Sequence, residues 1–304
     1  MFHLACFWRV GRILSVLMAV LLLGSGLASA SLVLQLNPGD YQTSTNAWPI
    51  AAGSMAGDYF QSAGPSLNSS TYPSVTSKIY TNNTLGYKAV DFTAGPSILG
   101  GPLCPSSLGG ANPKTIEAWV FQPSTVNGDA GTILALYSEY QAANSEFALC
   151  DSVNPGSTPN GNGRALYTTG GTIQGWGSAF PARSGNWSYL VASYDGANLN
   201  LYINGQLDRT VAYTYATGTN ASIAIGCMRY GPATSAHSLA NEDSWNNWRG
   251  YLGGIRVYDE ARTATQITND FNLGVNYGEV GTGLPYIVAT GGTGGTISPS
   301  GTNF

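Results

Sequence analysis

Trp187 to Val211 reads WSYLVASYDGANLNLYINGQLDRTV. Successive side chains of a strand point to opposite faces, so Trp187, Tyr189, Val191 and Ser193 share one face and Leu190 and Ala192 the other. Asp195-Gly196 interrupts this run. Leu199, Leu201 and Ile203 then alternate with Asn198, Asn200 and Tyr202, Asn204-Gly205 interrupts again, and Leu207 to Val211 returns. Asp-Gly and Asn-Gly suit the type I′ turn, which needs positive φ at both central residues and matches the twist of the flanking strands. Two such turns nine residues apart predict a three-stranded antiparallel meander.

The same pattern extends in both directions. Leu32 to Leu36, Tyr87 to Phe92, Thr115 to Phe121, Thr132 to Tyr137, Glu146 to Cys150, Ser222 to Met228 and Arg249 to Tyr258 all read as strands, and Arg164 to Thr169 with Thr172 to Trp176 as a short hairpin. In Thr115 to Phe121, Ile116, Ala118 and Val120 alternate with Glu117, Trp119 and Phe121. Thr263 with Gln266 three residues on is a capping box, Ile267 and Phe271 form a stripe, and Gly274 is a natural stop, so one short helix closes the series. Many strands and one helix predict an all-β, two-sheet antiparallel sandwich. Trp119, Trp187 and Trp248 read as core residues of it.

The chain has 304 residues, of which only 9% are charged, against about 25% in ordinary soluble domains. A coiled coil or charge-laced helical bundle is therefore excluded. A net charge of −4 argues against a nucleic-acid binder. Arg9 and Arg12, the apolar run Ile13 to Leu23 and the sequence Ala28-Ser29-Ala30 make residues 1–30 a secretory signal peptide. Residues 31–280 form the expected sandwich domain, and the Gly/Thr/Ser-rich residues 281–304 a tail or linker. No other apolar run is long enough to span a membrane, so the expected location is outside the cell or on its surface.

Cys6 leaves with the leader, and Cys104, Cys150 and Cys227 remain. In an oxidising compartment the simple reading is one disulfide and one free thiol. Cys150 and Cys227 both end strand-like runs and are the favoured pair; three buried unpaired thiols are the alternative.

Several blocks of the chain resemble a known family. KTIEAWVF (114–121), the meander 187–211, SIAIG (222–226) and RGYLGGIRVYDEARTATQITND (249–270) occur in the order and spacing of the laminin-G-like, concanavalin A-like domain of secreted bacterial proteins. Trp48 to Phe60 and Ala89 to Phe92 are similar to its opening strands. The resemblance implies a jelly-roll sandwich and a carbohydrate- or protein-binding role. It also makes calcium a possible cofactor. One departure is Gly253-Gly254, where many relatives carry an acidic pair. The fold alone does not decide function.

A glycosidase needs two carboxyl groups about 5–9.5 Å apart. No acids lie two or four residues apart after residue 30, so no single strand offers such a pair. His237 is the single histidine left after the leader, no G-x-S-x-G elbow occurs, and His237 reads as a solvated loop residue. The expectation is a non-catalytic module that recognises a neutral polysaccharide or cell-surface glycan. A protein-binding adhesion module is the alternative, and a divergent glycoside hydrolase or lyase the third reading. The best candidate site is the long polar loop Gly231 to Trp248. There Trp245 offers a plate for sugar C–H faces, and Asn246, Asn247, Asp243 and Glu242 offer groups for hydroxyls. Trp176, between glycines, is a further candidate plate.

Overall fold

The computed structural model describes residues 31–62, 78–81, 88–93, 98–121, 131–137, 144–151, 165–168, 172–175, 187–227, 231, 233–238, 240 and 247–274. The larger sheet contains β1 (Leu32–Leu36), β4 (Lys78–Thr81), β5 (Lys88–Asp91), β7 (Lys114–Phe121), β12 (Trp187–Tyr194), β13 (Asn198–Ile203), β14 (Gln206–Ala212) and β16 (Tyr251–Tyr258). The smaller contains β2 (Ala47–Pro49), β3 (Tyr59–Gln61), β6 (Leu99–Leu103), β8 (Gly131–Ala135), β9 (Ala148–Asp151) and β15 (Ser222–Ile225). β10 (Ala165–Thr168) and β11 (Thr172–Gly175) form a separate hairpin. The larger sheet runs β14-β13-β12-β7-β16-β5-β4, with β1 also on β16; the smaller runs β2-β3-β6-β15-β8-β9. The pairings between these strands are antiparallel, as in the expected sandwich.

The meander is present in the register its alternation predicts: Leu190 faces Ile203, Tyr194 faces Leu199, and Asn198 faces Ala212. Its two turns differ. At Asn204-Gly205 both φ values are positive (50° and 79°), as type I′ requires. At the other turn Gly196 takes a positive φ of 102° and Asp195 does not. Instead, Asp195 Oδ1 accepts the N–H groups of Ala197 at 2.8 Å and Asn198 at 2.6 Å, so a side chain closes that turn.

Between the sheets, Ile116, Ala118, Val120, Leu190, Ala192, Ile255 and Val257 meet Trp48, Phe60, Leu99, Leu134, Leu149, Ile223 and Ile225, all buried. Trp248 joins this core, as expected. Trp119 is buried as expected but in a second apolar cluster, against which the half-buried Trp187 packs. They lie on the outer face of the larger sheet with Tyr189, Val191 and Tyr202. The helix α1 (Ala264–Asn272) covers that face with Ile267 and Phe271, whose ring stacks on Trp119 at 5.5 Å. The sequence pattern could not distinguish two apolar faces of one strand; a third layer accounts for the second. Thr263 caps α1 as predicted: its hydroxyl accepts from Gln266 N–H, while Gln266 Oε1 accepts from Thr263 N–H.

The structure holds no Cys150–Cys227 disulfide, and Cys104, Cys150 and Cys227 are all buried. β8 lies between β9, which carries Cys150, and β15, which Cys227 follows. Two strand spacings amount to about 9.6 Å, beyond the roughly 7 Å that a disulfide can bridge between Cα atoms. Burial raises the Cys104 thiol to about 12, with Lys114 opposing the shift. Lys114 is itself buried. Its ammonium donates to Gly110 O and Thr217 Oγ1 and sits over the Phe147, Tyr194 and Tyr215 rings, so cation–π attraction offsets part of its lost hydration.

Candidate functional site

The site is built on the outer face of the smaller sheet. On β6, Gly101 points inward against the Phe60 ring, so Gly100 points outward. The register sets Gln61, Gly100, Ala224, Ala135 and Ala148 side by side across five strands. Apart from Gln61 at the rim, this row has no bulk, and another segment can lie close upon it.

That segment is the long loop singled out in the sequence. Ser222 N donates to Ala233 O at 2.8 Å, His237 N to Gly101 O at 2.7 Å, and Trp248 N to Gly226 O at 3.0 Å. Asn247 bridges Thr132. The fit over β6 is tight: a Cβ on Gly100 would lie 2.7 Å from His237 O and 2.8 Å from Ser238 O.

Where the loop meets β3 it brings His237 onto Tyr59. The two rings are parallel within 5°, with centroids 4.2 Å apart. His237 Nε2 lies 3.3 Å from Asp58 Oδ1, which also accepts the Tyr59 N–H at 2.8 Å. His237 takes a φ of 58°, a left-handed conformation uncommon outside glycine. The expectation of a solvated His237 is corrected: its side chain is 24% exposed and stacked. Loop and β3 are far apart in sequence, so no local pattern announced the contact. Tyr59 is 38% exposed, and Phe60 beside it points into the core. Gln61, two residues on, shares the outer face with Tyr59 and donates from Nε2 to Thr45 O at 3.4 Å. The result is an aromatic plane flanked by a carboxylate and an amide.

Of the predicted site residues, Asn247 is buried, 7% exposed, where the loop returns to β8. Glu242, Asp243, Trp245, Asn246 and Trp176 lie outside the described residues. Asp58, Tyr59 and Gln61 were missed as site residues. The stretch Gly57-Asp58-Tyr59-Phe60 was legible as an opening strand, and its exposed tyrosine was the available signal.

Two carboxyl groups do converge, elsewhere. Glu117, on the outer face of β7, is fully buried beneath α1. Arg262 Nε lies 3.8 Å from it; Arg262 also pairs with Asp270, and Arg256 reaches Asp270 at 3.0 Å. Burial first, and Asp270 second, raise the Glu117 carboxyl to about 8, with Arg262 opposing. This cluster is sealed from substrate and ties α1 to the sheet. Among the described residues no three His, Cys, Asp or Glu side chains gather as a metal site, so no acidic cluster there fits the calcium that the resemblance implies. No helix among them is long and apolar enough to cross a membrane.

Comparison with known proteins adds to this geometry. The family described as concanavalin A-like lectin/glucanases superfamily matches residues 102–268. Domain 4 of AbnA, a GH43 extracellular arabinanase from Geobacillus stearothermophilus solved in complex with arabinotriose, is similar in structure. Its TM-score is 0.52 at 18% identity, over 79% of this chain and 97% of that domain. The Trypanosoma rangeli sialidase in complex with sialic acid is similar at a TM-score of 0.50 and 14% identity, over 83% of this chain and 34% of the sialidase. A search of curated protein sequences found no match.

Proposed function

The chain belongs to the concanavalin A-like lectin/glucanases superfamily, and from that premise we propose that it is a secreted, non-catalytic module that binds carbohydrate. One observation carries the reading: the likeness to the arabinanase domain spans 97% of a domain whose structure holds an oligosaccharide. The sparse charge favours a neutral polysaccharide over a polyanion, since few basic groups are there to attract one. The buried position of the Glu117–Asp270 pair supports binding over hydrolysis, because glycoside cleavage needs both carboxyls at the sugar. Described residues of the loop, His237 and Ser238, lie over the sheet face that carries the site, and Trp245 and Asn246 of the same loop are proposed contributors.

The test is a glycan array probed with the chain from Ser31 onward, with and without calcium, beside Trp245→Ala. Binding by the parent protein is expected, and its loss in a folded Trp245→Ala protein places the loop in the site. No binding to any glycan in either condition overturns the proposal.

A further inference from the structure

We infer that Tyr59, His237 and Asp58 form a preformed subsite for a neutral sugar unit, which stacks on the exposed aromatic plane and donates a hydroxyl to Asp58. The inference rests on the carbohydrate reading above and goes beyond it in naming where and what the site binds.

The first argument is exposure without a folding role. Tyr59 and Leu207 are the exposed large hydrophobic residues among those described. Phe60 supplies the burial that fixes β3 in the core, which leaves Tyr59 free to serve another purpose. The second is rigidity. His237 backs the Tyr59 ring and is itself held by its N–H bond to Gly101 O, the 3.3 Å contact of its Nε2 with Asp58 Oδ1 and the close approach of its carbonyl to Gly100. A plane fixed in advance adds no ordering cost when a ligand arrives. The third is unused hydrogen-bonding capacity. Asp58 Oδ1 serves both Tyr59 N and His237 Nε2, while Oδ2 has no partner among the described residues. Gln61 Oε1, on the same face, likewise has none. A sugar offers the matching partners, apolar C–H groups on one face and hydroxyl donors at its edge.

Charge selects the class. Among the described residues Asp58 pairs with His237 and with no lysine or arginine. A sugar carboxylate placed beside Asp58 would meet like charge without a guanidinium or ammonium to bind it. The site therefore takes neutral sugars and rejects uronic and sialic acids.

The test is affinity gel electrophoresis of the full chain in gels containing debranched arabinan, hydroxyethylcellulose, galactomannan or polygalacturonate. Parent, Tyr59→Ala, Tyr59→Leu and Asp58→Asn proteins run side by side, each with its melting temperature recorded. Retardation of the parent by at least one neutral polysaccharide is expected, with none by polygalacturonate. Tyr59→Ala weakens it by about tenfold or more, the effect of truncating an aromatic anchor, and Asp58→Asn weakens it less. Should Tyr59→Ala melt below the parent, Tyr59→Leu keeps apolar volume without a plane and gives the same reading. Parent binding that all three variants retain would overturn the subsite and leave the carbohydrate reading standing. Retardation by polygalacturonate that Tyr59→Ala abolishes would overturn the neutral class. No retardation of the parent by any polymer would sink both.

Discussion

At Glu117 a carboxyl group lies wholly out of water, and its titration sets a pH dependence for the fold. Its native value is raised to about 8 from an ordinary 4.5. Between those two values the folded protein holds a proton that the unfolded chain has released, so stability falls as pH rises through that window. Glu117→Gln removes this dependence. Relative to the parent, the variant is expected to gain in urea midpoint from pH 5 to pH 8; a difference that does not change with pH would contradict the assignment. The thiols give a second prediction at this scale. All three lie buried and unlinked, so the native chain from Ser31 should resist Ellman's reagent and release three equivalents once denatured. Release of one would restore the disulfide. What eluded the sequence here is partnership. A lone histidine in a polar loop carries no mark of the tyrosine it will stack on, and two cysteines ending strands carry no mark of the strand between them.

Elements whose determinants are local were legible. The meander follows from alternation and two turns, and α1 from its cap, stripe and terminal glycine. β6 was not, because LGGPL carries turn formers where a strand pattern needs bulk. Its glycines become intelligible only in the sandwich, where one admits the Phe60 ring and the other the His237 loop. Gly100→Ala should consequently push the loop away and lower stability by about 1–3 kcal/mol, as overpacking does. It should also loosen the His237–Tyr59 stack, seen as a shift of the His237 ring resonances. Thr263→Ala removes one half of the capping box and should cost about 1 kcal/mol. Arg262→Ala should cost more, about 1.5–3 kcal/mol, because it removes a charged donor from Asp270, which keeps Arg256 as its remaining cation. Both are checked by chemical denaturation.

For the molecule as a whole, sandwich architecture was legible from strand count and spacing, but the layer added by α1 and the loop folded across the opposite sheet were not, since each depends on surfaces that exist only after the sheets have formed. The family match begins at residue 102, yet strands before that point are integral. β1 and β5 pair with β16, and β6 pairs with β15. A fragment of residues 102–268 is therefore expected to be insoluble, with open sheet edges, whereas residues 31–274 should unfold in one cooperative step. Soluble, cooperative folding of the shorter fragment would refute this. The pairing of β1 with β16 also sets a schedule. The first strand has no neighbour in its sheet until β16 has been made, so the larger sheet cannot close before residue 258 is in place. Under the export proposed above, a domain whose first strand must wait for β16 stays open while the strands between them pass, which suits a polypeptide that has to be threaded unfolded.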